Sequence, residues 1–186
     1  SKNFLKGVSF IIIEPNKGMV EKQKNKLEDF LNLGIDILWK GLEEIEENNI
    51  NGIVIANEVL DALPVERITF SKEKLFRQAV SIDKKSCTLF LDEMPITSEL
   101  EKSIELAKSE LRITIPPKDA LEGWTTEWHV DNSEWLKALY GKINNGILLI
   151  IDYAKEAEKY YTSRNSDGTI VAYKNQKMIP DVLDSP

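Results

Sequence analysis

Three stretches of the chain, 8–13, 53–56 and 147–151, carry apolar residues with little or no alternation. Short runs of this kind, rich in β-branched residues, predict strands buried on both faces, as in the middle of a parallel sheet. Between the first two, Val20, Leu27, Phe30 and Leu31 fall at helical spacing over 18–33, and Gly34 supplies a left-handed stop. A short strand over 35–39, a weak acidic helix over 41–47 and a turn at Asn48-Asn49 lead into the second run. Strands and helices thus alternate up to Ala56, which predicts an α/β fold with right-handed connections.

After Pro64 the period changes. Residues 65–70, 74–80 and 87–91 read as short alternating strands separated by the turn-like 71–73 and 83–85, an antiparallel meander inserted over about 65–95. It would serve as a wall for a macromolecular substrate or as a structural flap, and the pattern fits both. A helix then opens at Ser98, with a capping box to Glu101 and a buried stripe of Leu100, Ile104, Ala107 and Leu111. Residues 113–117 end it in extended backbone ahead of Pro116 and Pro117. An aromatic-rich strand or loop over 122–130 precedes a helix capped by Asp131 or Ser133.

Composition narrows the class. At 186 residues, with 42% hydrophobic and 30% charged residues, the chain is expected to fold as one domain. No apolar run approaches the roughly 18 residues that a membrane-spanning helix needs. A net charge of −7, with lysines interspersed among acids, argues against a nucleic-acid surface and favours a cationic partner. With one Cys and one His, neither an internal disulfide nor a zinc site is expected. Cys87 sits in a strand-like run and reads as a buried or half-buried thiol. The first residues, Ser1 to Lys6, are not followed by a signal-peptide pattern, and both ends look cut.

The candidate chemistry lies where the apolar runs stop. Ligands in open α/β sheets bind beyond the carboxyl ends of the strands. Glu14 follows the first run, Asn57, Glu58 and Asp61 follow the second, and Asp152 follows the third. A carboxylate after a strand can accept hydrogen bonds from two vicinal ribose hydroxyls, which is the reading for Glu14. Asn57 with Glu58 and Asp61 can orient a nucleophile or an amine. Equally, Asn57 can cap a short turn that Pro64 ends, with the two acids complementing its dipole. Trp124 and Trp128 would cradle a planar cation or, as aromatics on a strand more often do, pack in the sheet face.

The block Asn57-Glu58-Val59-Leu60-Asp61-Ala62-Leu63-Pro64-Val65 resembles the hallmark of the MidA-like family of S-adenosylmethionine-dependent methyltransferases. One member of that family is the mitochondrial protein arginine methyltransferase that assists assembly of respiratory complex I. Other pieces follow in the right order. Glu14, Asn16 and Gln23 match a Glu, a Ser two residues on and a Gln in the next helix, with Asn16 in place of the Ser. Gly123, Glu127 and Trp135 match a Gly, a Glu and a Trp near a helix start. Asp152-Tyr153-Ala154 stands for Asp-Tyr-Gly. Arg164 and residues 168–173 resemble an Arg and a Gly-Thr-Leu-Arg-Ala-Tyr stretch, with Val171 for the Arg and Gln176 where a His is usual. The resemblance runs from about Phe10 to Pro186 and stops just before the family's next block.

The resemblance implies a Rossmann-like class I methyltransferase sheet, here a single partial domain over 1–186 that lacks the first strand and its Gly-rich loop. Without that loop, cofactor affinity of the 186 residues alone is expected to be low or absent. It implies S-adenosylmethionine as cofactor, with Glu14 on the ribose, Trp39 or Leu38 as an adenine wall or core residue, and Asn57 beside the cofactor. It implies transfer of a methyl group to an arginine of a protein substrate, with Asn57, Glu58 and Asp61 as first catalytic candidates and Glu127 in reserve. A link to respiratory complex assembly follows, in the cytoplasm of a bacterium or the mitochondrial matrix of a eukaryote. A noncatalytic assembly module on the same fold is the alternative, mildly favoured by Ala154, Val171 and Gln176. A dinucleotide-dependent oxidoreductase ranks third, because it leaves 57–64 unexplained.

Overall fold

The computed structural model describes residues 7–179 and 181–183. The readings of Ser1 to Lys6 and of the last residues through Pro186 lie outside the described residues. The described chain divides into two compact units. One runs through Ile55 and takes up Trp135–Leu149; the other comprises Ala56–Glu134 and the chain from Ile150 onward.

In the first unit, strand β1 (Ser9–Ile13) pairs in parallel with β2 (Asp36–Lys40), Ser9 opposite Asp36 and Ile13 opposite Lys40. A parallel pair needs a crossover, and two helices supply it, α1 (Lys17–Lys26) and α2 (Glu28–Asn32). The helical period predicts one helix over 18–33; the chain instead breaks at Leu27, whose φ of −100° and ψ of 7° leave the helical region. Its N–H is shared between the carbonyls of Gln23 and Lys24 as the first helix closes. Asn16 caps α1 by accepting the Met19 N–H at 3.1 Å. Gly34 takes the expected left-handed conformation, φ +76°. The acidic segment forms only a 3₁₀ turn, Leu42–Glu44, before β3 (Ile50–Asn57).

In the second unit the predicted meander is present as β4 (Glu66–Ser71), β5 (Lys74–Asp83) and β6 (Thr88–Pro95). Helix α3 (Ser98–Glu110) follows, and β7 (Thr125–Trp128) returns to pair antiparallel with β4, giving the order β6-β5-β4-β7. The central strand β4 is covered, and Ile68, Leu100, Ile104, Ala107, Ile115, Trp124 and Trp128 form one buried cluster. Arg77 forks onto Glu66 across β4 and β5, with Nε and Nη2 each 2.8 Å from a carboxylate oxygen. Three expectations change here. The helix is capped by Thr97, whose hydroxyl accepts the Leu100 N–H, one residue ahead of Ser98. Leu111, read as part of the buried stripe, follows the end of α3 and is 67% exposed. Cys87, read as buried, is exposed in the turn between β5 and β6 with a φ of +55°, because the strand starts one residue later than the apolar pattern suggests.

Helix α4 (Asn132–Lys142) runs directly into β8 (Ile143–Ile151), which lies beside β3. The Glu58 N–H reaches the Ile151 carbonyl at 2.8 Å, and the Asn51 and Asn144 side chains bond at 2.8 Å. The pairing therefore advances in the same direction along both strands. A one-turn helix α5 (Ala157–Tyr160) and a hairpin of β9 (Ala172–Lys174) and β10 (Lys177–Ile179) complete the described chain. Both turn residues of the hairpin, Asn175 and Gln176, have positive φ, as a primed turn requires.

The apolar runs form strands, but most of their side chains are not buried. Ile53 is 69% exposed, Ile55 and Ile147 64% and Phe10 44%. Among the described residues β1 pairs only with β2 and β3 only with β8, so each run lies in a two-stranded sheet. Burial on both faces needs a wider sheet and a layer on each side.

Candidate functional site

Glu14 stands at the carboxyl end of β1, where the strand turns into α1. Its Oε1 accepts the Asn16 N–H at 2.9 Å and its Oε2 accepts the Gln23 amide at 3.2 Å. Gln23, half-buried on α1, accepts in turn the indole N–H of Trp39 at 2.9 Å through Oε1. The cap, the helix and both parallel strands thus converge on one carboxylate. An ionised carboxylate has about four acceptor positions, so one protein donor on each oxygen leaves each oxygen free to accept another. That donor set fits a pair of vicinal hydroxyls. Trp39 is half-buried, its polar edge turned to Gln23, and the Lys24 ammonium lies 5.9 Å from the centre of its ring.

Asn57 ends β3, and the chain then turns sharply. Glu58 adopts a left-handed conformation, φ +49°, a sparsely populated region for a residue with a side chain. Its N–H is held by the Ile151 carbonyl. Asp152, the acid after β8, accepts the N–H groups of Leu60 and Asp61 at 2.9 and 3.3 Å on one oxygen and that of Tyr153 at 2.8 Å on the other. The sequence suggests Asn57 as the cap of this turn; Asp152 takes the part instead, from 91 and 92 residues away. The side chains of Asn57, Glu58 and Asp61 are exposed and make no hydrogen bond to the rest of the described chain. Backbone is spent on the turn, and the side chains are left exposed.

Glu127 is different. It lies on β7 at 2% exposure, and its Oε2 accepts the Tyr160 hydroxyl at 2.7 Å, the Thr169 N–H at 2.8 Å and the Thr169 hydroxyl at 3.1 Å. Its other oxygen faces Arg67 Nε at 3.7 Å, close enough for attraction and too long for a hydrogen bond. Neither of those two buried atoms has a hydrogen-bond partner among the described residues. The guanidinium that Glu127 faces is that of Arg67, from the same fold. Arg67 also donates to the Asp167 carbonyl at 2.7 Å, and Gly168, with φ +74°, leaves room where a Cβ would meet the Glu127 carboxylate. Burial and the neighbouring Glu127 charge push the Tyr161 hydroxyl up to about 12. Burial raises that of Tyr160 further. The roles of Arg67, Tyr160 and Thr169 around Glu127 were beyond reach of a sequence pattern, because these partners lie 9 to 100 residues apart, and the pairing of β7 with β4 is what brings Arg67 to Glu127.

Trp124 and Trp128 are buried at 2% and 7% exposure, and each indole N–H is satisfied internally, on the Thr162 carbonyl and the Ser103 hydroxyl, both at 2.9 Å. They belong to the core and do not form an open cradle for a cation. A cleft of about 430 Å³ is lined by Trp124, Asp119, Glu122, Arg164 and Asp167 among others. None of the residues singled out from the sequence as catalytic or cofactor-binding lines it.

The whole chain, residues 1–186, matches the family model described as "Putative S-adenosyl-L-methionine-dependent methyltransferase". No curated protein matches it. Two solved structures from Burkholderia thailandensis resemble it. One is of a "COG1565 superfamily member and likely methyl transferase" bound to S-adenosyl-homocysteine, with 22% identity and a TM-score of 0.76 over 95% of this chain and 42% of that one. The other, of an uncharacterized COG1565 superfamily protein, has the same identity and TM-score and covers 95% of this chain and 44% of its own. At that identity the likeness is one of fold. This chain spans less than half the length of the structures it resembles.

Proposed function

Since this chain belongs to the family of S-adenosyl-L-methionine-dependent methyltransferases that its full length matches, we propose that it carries the ribose grip and the acceptor-orienting acids of a protein arginine methyltransferase of the MidA-like type. The sheet would then be the Rossmann-like one of class I methyltransferases. The observation that carries the cofactor half of the reading is the donor set at Glu14. Each oxygen holds one protein N–H and keeps a position free, which is what two ribose hydroxyls need.

When bound, the cofactor supplies an activated sulfonium methyl group. The residues of the chain have three tasks. Glu14 fixes the ribose and so the direction in which the methyl points. Asn57, Glu58 and Asp61 present a carbonyl oxygen and two carboxylates from a turn held rigid by Asp152, a set suited to orienting a guanidinium and balancing its charge. Alignment of nucleophile and methyl is the larger part of such a displacement. Glu127 holds Arg67, Tyr160 and Thr169 together, and in this reading acts at a distance from the reacting atoms.

The test is calorimetric titration of S-adenosylmethionine into the full-length gene product and its Glu14→Ala variant. The reading expects binding that the variant weakens by about 10- to 100-fold, the range for losing hydrogen bonds to a charged group. Transfer of a labelled methyl group to an arginine-containing protein should then fall in Glu58→Gln and Asp61→Asn variants with little change in cofactor affinity. Absence of binding by folded full-length protein would leave the noncatalytic assembly module as the better reading.

A further inference from the structure

We propose that Trp39 and Gln23 are positioning residues that set the polarity of Glu14, so that the site selects a ligand with two free vicinal hydroxyls. The inference rests on the methyltransferase reading and adds to it two residues that act through a third. The orientation of a glutamine amide is normally ambiguous, since its oxygen and nitrogen are nearly the same shape. Here it is determined from both ends. The indole of Trp39 can only donate, so the atom of Gln23 at 2.9 Å from Nε1 must be the oxygen. The nitrogen therefore faces Glu14 at 3.2 Å, and an ionised carboxylate can only accept. The chain of bonds runs one way, from indole to amide to carboxylate.

Three consequences follow for recognition. With its amide nitrogen turned to Glu14, Gln23 takes up one acceptor position on Oε2. The Asn16 N–H on the other oxygen, at 2.9 Å, completes a two-point hold on the carboxylate plane. What remains exposed to a ligand is acceptor capacity alone, with one position on each oxygen. A pair of hydroxyl donors satisfies it, whereas a ribose carrying a phosphate in place of a hydroxyl would bring a negative charge against it. Trp39 thereby contributes through its N–H. An adenine-stacking role would use the ring face instead and would survive replacement by another aromatic residue.

The experiment compares two probes on the full-length gene product, S-adenosyl-homocysteine and the same molecule lacking both ribose hydroxyls. For Gln23→Ala, affinity for the first should fall by about 10-fold, as for a lost hydrogen bond to a charged group, while the already weaker affinity for the second stays the same. Gln23→Glu, equal in shape but without the donor and with a like charge, should lose at least as much on the first probe. Trp39→Phe should lose about threefold, a fraction of one hydrogen bond. In the free protein, the Trp39 indole N–H should exchange faster with solvent in Gln23→Ala, and melting temperatures of all variants should stay near the parent's. Equal weakening of both probes, or of neither, would overturn the proposal and leave the methyltransferase reading standing, as would parent-like binding by Trp39→Phe. Failure of the parent protein to bind either probe would remove that reading and this inference with it.

Discussion

The regions around Glu127 and Glu14 each gather several donors onto one carboxylate, yet one is closed and the other open. Glu127, at 2% exposure, spends one oxygen on Tyr160 and Thr169 and turns the other to the half-buried guanidinium of Arg67. Glu14 takes one donor on each oxygen and keeps room for more. Glu14 was a candidate site residue by its place after a strand, Glu127 by the family resemblance. Burial separates them: Glu127 is enclosed with its donors inside the fold, whereas Glu14 is half-buried and has one donor on each oxygen.

The sharpest way to break this contrast is to remove each acid in turn. Glu127→Ala leaves the half-buried Arg67 and the Tyr160 and Thr169 donors without their carboxylate and should cost about 3 kcal/mol in urea unfolding, the low end of the scale for breaking a buried pair. A loss under about 1 kcal/mol would show that Arg67 finds other partners or water. Gly168→Ala attacks the same cluster from its backbone, with a positive φ and a Cβ set against the Glu127 carboxylate. About 1–3 kcal/mol of destabilisation is expected there. Glu14→Ala should cost less than about 1 kcal/mol, since its bonds are partly exposed, while abolishing most cofactor affinity. A large stability loss without a binding loss would reverse the assignment of the two acids.

The smallest effect is alkaline. The Tyr161 hydroxyl sits near 12 in the folded protein against 10.0 for an ordinary tyrosine. Between those values the folded state keeps a proton that the unfolded chain has released, so stability falls as pH rises through that window and is fully present below 10. Tyr161→Phe should flatten the decline in melting temperature between pH 10 and 12, and a parallel decline in both proteins would exclude this group as its cause.

Much of the fold was legible because local rules suffice for it. The βαβ order of β1, the helices and β2, the meander and the Gly34 stop all follow from period and turn chemistry within short windows. The exposure of Ile53 and Ile147 was not legible, because a β-branched run states what a strand tolerates and not what covers it. Among the candidate residues, Glu14, Asn57, Glu58, Asp61 and Asp152 were visible as polar residues following apolar runs. The division of labour among them was not. Asp152 rather than Asn57 caps the turn because β8 returns beside β3, a pairing that no local window contains.

That return also sets an order of assembly. Ser9 and Asp36 lie 27 residues apart, whereas Asn51 and Asn144 lie 93 apart. Closing the longer loop costs about 1 kcal/mol more chain entropy, and contacts between distant residues form late. The Asn57–Asp61 turn acquires its Asp152 anchor only once β8 has docked, so it becomes rigid at the end of folding. Until then β3 offers an unpaired edge beside exposed isoleucines, the interval in which a refolding chain is most open to sticking to another copy of itself.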